Sequence, residues 1–299
     1  MNSLDPYSLV IALNHLTDVV ETASQTNFFK DYFMPLVTVT ISAVTAYFIA
    51  IEGYKFQDAS RNERNKADTL NEVILQMQNM QANLIAMKQN YCNELSDHPL
   101  TRALSIPTIP MQVEKATFKP HSLAQLLYAR HVDIEKHPWM NIASFVATYG
   151  NYNQLFELLV LRNKISEDVR NTLAPLLNTA SANGNIDMHD IRNALGDLKI
   201  MKFVDLTEKI IIMVDDLIIT INDFLHNFPR KASEPLKAKY LNNYVYLKDY
   251  MNESQSFKET LKKCKQVDFK ILAAIMRLEP QEALNLYNSV SVVITTPKS

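Results

Sequence analysis

The chain has 299 residues, 47% of them hydrophobic and 21% charged, and a formal net charge of −2. That length holds one sizeable domain plus smaller parts, and the composition is that of a folded chain rather than a disordered one. A nucleic-acid binder of the usual kind is excluded, because it carries a basic surplus to displace counterions from phosphates.

Glycine is scarce: Gly53, Gly150, Gly184 and Gly196 are the only four, none within ten residues of another. Phosphate-cradling loops need clustered glycines, so P-loop, dinucleotide-binding and kinase-type sites are excluded. Cys92 and Cys264 stand far apart with no C-x-x-C partner. They read as reduced thiols, since a structural zinc site needs about four closely spaced ligands. No cofactor and no metal is expected.

Residues 1–31 contain an apolar stretch at 9–16 that is too short to span a bilayer. It reads as a surface helix, suited to lying on a membrane. Residues 33–51, FMPLVTVTISAVTAYFIAI, then run for nineteen positions without a charge. A helix crosses a hydrocarbon core of ~30 Å with about 20 apolar residues. Tyr32 and Tyr54 bracket the stretch, and Lys30, Asp31, Glu52 and Lys55 close its ends. Aromatic side chains of this kind favour headgroup depth. Pro35 falls in the first turn, where a missing N–H costs little. Residues 32–54 are therefore predicted to form a single transmembrane helix.

Lysine and arginine set orientation. Only Lys30 precedes the span, whereas Lys55, Arg61, Arg64 and Lys66 follow it. The expectation is a single-pass protein of the cell membrane, a bacterial inner membrane for preference, with its N-terminus outside and its C-terminus cytoplasmic. Thr38, Ser42, Ala46 and Ala50 recur at every fourth position. Small residues so spaced let helix backbones approach closely, which predicts self-association of the span.

Residues 55–96 read as a helical stalk. Leu70, Met77, Leu84 and Tyr91 fall at heptad position a, and Val73, Met80 and Met87 at d. This is a coiled-coil seam of about three heptads. Ile74, Gln81 and Lys88 fall at e and Gln76, Asn83 and Asn90 at g, so no charge pairing fixes a partner. Two arrangements compete: a parallel homodimer, which is favoured, and packing of the helix on the chain's own body.

Residues 97–120 hold Pro99, Pro107, Pro110 and Pro120 and read as a linker. A short alternation at 112–118 could pair with 289–296, SVSVVITT, as a minor β ribbon. Residues 121–299 are expected to form an all-α domain. Helices are predicted at 121–132, from Pro138 through Ile165, and onward from an N-cap at Ser166. The most apolar helix is predicted at 203–228, followed by 236–251, 257–264, 269–277 and 280–287. Asp215, Asp216 and Asp223 argue against a second span at 203–228. It is read instead as a buried central helix with Asp205, Glu208, Asp215, Asn222 and Asp223 toward water.

Two constellations are weighed for chemistry. Residues 179–190, TASANGNIDMHD, resemble a degenerate EF-hand loop, with Asn183, Gly184, Ile186 and Asp190 at loop-like positions. Thr179 and Ser181 stand where acidic ligands belong, so a plain Asn-Gly turn between helices is expected. His121, His131 and His137 are spaced ten and six apart, which does not bring two imidazoles onto one helical turn. No catalytic residues are expected.

The function expected is that of a membrane-anchored helical scaffold, which presents a cytoplasmic domain to an unknown cytoplasmic protein partner. The alternative is a membrane-acting effector, a toxin of the stress or phage-defence type, working through oligomerised spans. The bilayer and a second copy of the chain, in a dimer for preference, are the other expected partners.

Overall fold

The computed structural model describes residues 6–24, 29–110, 115–127, 137–180, 187–250 and 252–288. It is mostly helical, with no strand among the described residues. Two compact units divide the chain, Met1–Arg61 and Asn62–Ser299.

The first unit holds α1 (Pro6–Ser24), a π-helical turn (Phe29–Phe33) and the opening of α2 (Met34–Gln89). The expected surface helix is thus longer than its apolar stretch. Leu13, Leu16, Val19 and Val20 project from it into solvent. Pro35 is the second residue of α2, directly after the π-helical turn.

The second unit begins within α2 and continues through α3 (Pro99–Ser105), α4 (Pro120–Leu127), a 3-10 turn (Pro138–Met140) and α5 (Ile142–Ala180). Then come α6 (Met188–Leu195), α7 (Asp197–Ser233) and α8 (Ala238–Leu241). Three short helices close it: α9 (Gln255–Thr260), α10 (Phe269–Met276) and α11 (Pro280–Tyr287). Helices α5 and α7 form its axis. In the larger core, Phe145, Tyr149, Tyr152 and Leu155 of α5 meet Val214, Leu217, Ile221 and Phe224 of α7. Trp139 lies edge-on to Phe224 at 5.0 Å, and Phe145 edge-on to Phe224 at 5.5 Å. Burying each such side chain contributes about 1.5–3 kcal/mol before conformational entropy is subtracted. A smaller core joins α3, the far half of α5, α6, the start of α7, α10 and α11. Gly196 lets the chain turn from α6 straight into α7. Its φ of 72° lies where a side chain would be strained.

Several expectations are corrected. Ser166 caps nothing: α5 runs unbroken through it, and the residue is 1% exposed. The buried period continues past it through Leu159, Val169 and Leu173, so tertiary packing overrides the capping preference. Among the described residues of 236–251 the single turn of α8 is the only helix. Asn242 and Asn243 then take positive φ, a conformation that ends a helix. The proline-containing segment is no free linker, because Leu100, Ala103, Ile106 and Ile109 are all buried in the body. Arg162, itself 1% exposed, clamps it by donating to the carbonyls of Ala103, Ile106 and Pro107 at 2.8–2.9 Å.

Residues 115–118 adopt no regular structure, while 111–114 and 289–299 lie outside the described residues, so the ribbon pairing does too. The backbone of Ala116 is met by a side chain instead. Asn153 Nδ2 donates to Ala116 O at 2.9 Å, and Ala116 N–H donates back to Asn153 Oδ1 at 2.9 Å. Asn163 grips Ile109 in the same two-way fashion. Asn71 likewise donates to Val245 O and accepts from Leu247 N–H. Three side-chain amides thus supply the partners that a neighbouring strand would give.

Candidate functional site

Helix α2 carries both predicted constellations. Among residues 33–51 none is buried; Leu36, Val39, Ile41, Tyr47, Phe48 and Ile49 are each more than 60% exposed. This helix is long and apolar enough to cross a membrane. Tyr32 and Tyr54, both exposed, lie 22 positions apart, about 33 Å along a helix at 1.5 Å per residue. The hydroxyls of Thr38, Thr40 and Thr45 donate to the carbonyls of Met34, Leu36 and Ile41, each at 2.8 Å. Thr38, Ser42, Ala46 and Ala50 are all exposed. Each step of four residues turns about 40° further round the helix, so the four form a slowly winding stripe.

The seam is placed differently. Leu70, Val73, Met77, Met80, Leu84, Met87 and Tyr91 are between 0% and 3% exposed within this one chain, in the larger core. Position e is buried as well, with Ile74 at 1%, Gln81 at 2% and Lys88 at 4% exposed. Position g also faces the body: Gln76 accepts from Tyr149 Oη at 2.8 Å, and Asn83 donates to Tyr152 Oη at 3.1 Å. A face this broad belongs to a helix of a globular bundle rather than to a two-stranded coil. The arrangement found is the second of the two weighed above, packing on the chain's own body.

Two buried ion pairs, unforeseen in the sequence, line α7. Lys88 Nζ meets Asp215 Oδ1 at 2.6 Å, both side chains 5% exposed. Its other donors go to the carbonyls of Thr260 and Lys262, so all three N–H groups of the ammonium are used. Asp215 Oδ2 in turn accepts from Cys264 N–H at 2.6 Å. Two turns earlier, Glu208 Oε2 accepts from Arg102 Nη1 at 3.2 Å, both side chains 2% exposed. Arg102 also donates to the carbonyls of Ser96 and Lys265. Glu208 and Asp215 therefore do not face water as expected. Asp223 does lie exposed, where it accepts from Trp139 Nε1 at 2.7 Å. Asp205 and Asn222 are half-buried.

Burial pushes the Glu208 carboxyl up to about 7, against the pull of Arg102. Its Oε1 has no partner among the described residues, and a cavity of about 60 Å³ adjoins the pair. That space suits a few waters rather than a metabolite. Cys264 lines it. Burial, with Asp215 beside the sulfur, pushes that thiol up to about 12, which keeps it protonated and unreactive. Both cysteines are free.

Among the described residues no three His, Cys, Asp or Glu side chains are grouped as a metal site. His121 and His137 are described, whereas His131 is not. Of the EF-hand-like stretch, residues 181–186 lie outside the described residues. Asp187 accepts from His189 N–H as the N-cap of α6, and Asp190 is exposed in its first turn. No protein-family model matches the chain, and neither a curated protein nor a solved structure does.

Proposed function

We propose that this protein is a membrane-anchored helical scaffold, in which the span at 33–51 holds the helical body at the cytoplasmic surface for a protein partner. The observation that carries this reading is the apolar surface that runs from Phe33 through α2 to Ile51 with no residue buried. Soluble monomers rarely expose contiguous apolar patches beyond a few hundred Å². The satisfied threonine hydroxyls support it too, because polar groups in hydrocarbon need partners within their own helix. The basic excess on the C-terminal side supports a cytoplasmic body. Through the stripe at Thr38, Ser42, Ala46 and Ala50 the span self-associates, and α1 lies along the bilayer surface.

Alkaline carbonate extraction of membranes bearing the full chain tests the anchor. The wild-type chain is expected in the pellet. Ile41→Arg with Val44→Arg should move it to the supernatant, since an arginine at the helix centre costs about 2.5–3.5 kcal/mol on insertion scales. Wild-type chain in the supernatant, or a variant retained as firmly, would overturn the reading.

A further inference from the structure

We propose that a concavity on the body, bounded by α3, α6, the first turn of α7 and α10, binds a small monocarboxylate with an apolar tail. Its volume is about 170 Å³. An apolar cavity of about 150 Å³ in another protein takes up benzene, so the space suits a single ring or a short alkyl chain. Leu100, Ile200, Ile271 and Ile275 supply aliphatic walls.

The mouth has the opposite chemistry. Arg192 Nε donates to Asp197 Oδ1 at 2.5 Å, and Arg277 Nη2 donates to Asp197 Oδ2 at 2.9 Å. Two guanidinium groups against one carboxylate leave a single positive charge, and each fork has further N–H groups to offer. That charge matches a monoanion better than a phosphate monoester. A guanidinium fork also fits the planar carboxylate in bidentate fashion. The Arg192 and Arg277 side chains are 64% and 69% exposed, so a ligand could reach them from solvent.

Arg277 makes the arrangement specific. It ends α10 in the left-handed region, with φ 56° and ψ 44°, at the position glycine ordinarily occupies. A side chain there carries a steric cost. The N–H groups of Arg277 and Leu278 both donate to Ala273 O, in the turn that closes α10. That turn sends a guanidinium across the mouth to Asp197.

The test uses the full chain in detergent micelles, with 3-phenylpropanoate as probe and its neutral amide as control, followed by ligand-observed NMR. Saturable binding of the carboxylate is expected, with the amide about tenfold weaker or more, the loss of roughly one charge-assisted contact. Arg277→Gly relieves the backbone and removes the guanidinium. It should keep or raise the unfolding midpoint while weakening the carboxylate by about tenfold. Ala274→Leu, which fills space beside the walls, should abolish binding. The proposal is overturned by an absence of saturable binding, by equal binding of the amide, or by binding that Arg277→Gly leaves unchanged. The last outcome would place the probe in the micelle or on the apolar span.

Discussion

Helix α2 meets two different surroundings along its length. Around 33–51 no side chain is buried and none carries a charge; around 67–91 the seam side chains at a and d are covered, Leu75 stays on the outer face, and charged Lys88 is buried beside the seam. Both stretches are rich in methionine, valine, leucine or isoleucine, so hydrophobicity alone does not separate them. Periodicity does. The first is apolar all round, which suits a solvent that is itself apolar. The second alternates, and Gln76, Gln81, Asn83 and Lys88 at e and g reach specific groups on the body.

The sharpest way to test the covered half is to remove one charge of its buried pair. Asp215→Ala leaves the Lys88 ammonium enclosed without its counter-ion. It should destabilise the body by about 3–5 kcal/mol in urea unfolding, because breaking a buried pair from one side strands the other charge. A loss below about 1 kcal/mol would mean that the site is wetter than its burial implies.

A smaller effect distinguishes the two stretches by pH, since 33–51 holds no carboxylate, imidazole, ammonium or guanidinium group. The Glu208 carboxyl is raised above its ordinary value, so the folded protein holds this proton more tightly than the unfolded chain. Its contribution to stability is greatest below about pH 4.5 and declines as pH rises through about 7. Glu208→Gln should cancel that decline, giving a wild-type-minus-variant difference that shifts by about 2–3 kcal/mol between pH 4.5 and 8. A constant difference across that range would refute the shift.

The smallest effect concerns the open half. Ser42→Leu with Ala46→Leu should weaken self-association of the span in a membrane reporter assay by a few-fold, while leaving urea unfolding of the body unchanged. Unaltered association would show that the stripe faces lipid.

Much of this architecture is legible in the sequence. Nineteen uncharged residues announce the span candidate, and the stripe of Phe203, Ile210, Leu217, Ile221 and Phe224 marks α7. The missing charge pairs at e and g of α2 were also a signal, because a free coiled coil usually has them and a bundle helix has no use for them. The ion pairs were not legible. Arg102 and Glu208 are 106 positions apart, and a buried carboxylate looks the same in a sequence as a solvated one. Nor was the continuity of α5 through Ser166: serine favours caps by its local chemistry, whereas the packing of Arg162, Val169 and Leu173 decides the matter. The concavity near Arg277 is hidden in the sequence for a similar reason. It needs α3, α6, α7 and α10 together, and no one segment hints at it.

The three asparagines that grip extended backbone have a consequence for chemical ageing. Asn71, Asn153 and Asn163 each need one donor and one acceptor in fixed places. Deamidation would turn the donor into a second acceptor, setting a carboxylate against the carbonyl it now holds. That reaction requires the next backbone nitrogen to attack the side chain. All three asparagines lie inside α2 or α5, where those nitrogens are held in helical geometry. The fold thus fastens its irregular segments with a labile residue, and keeps that residue where the reaction that spoils it is slow.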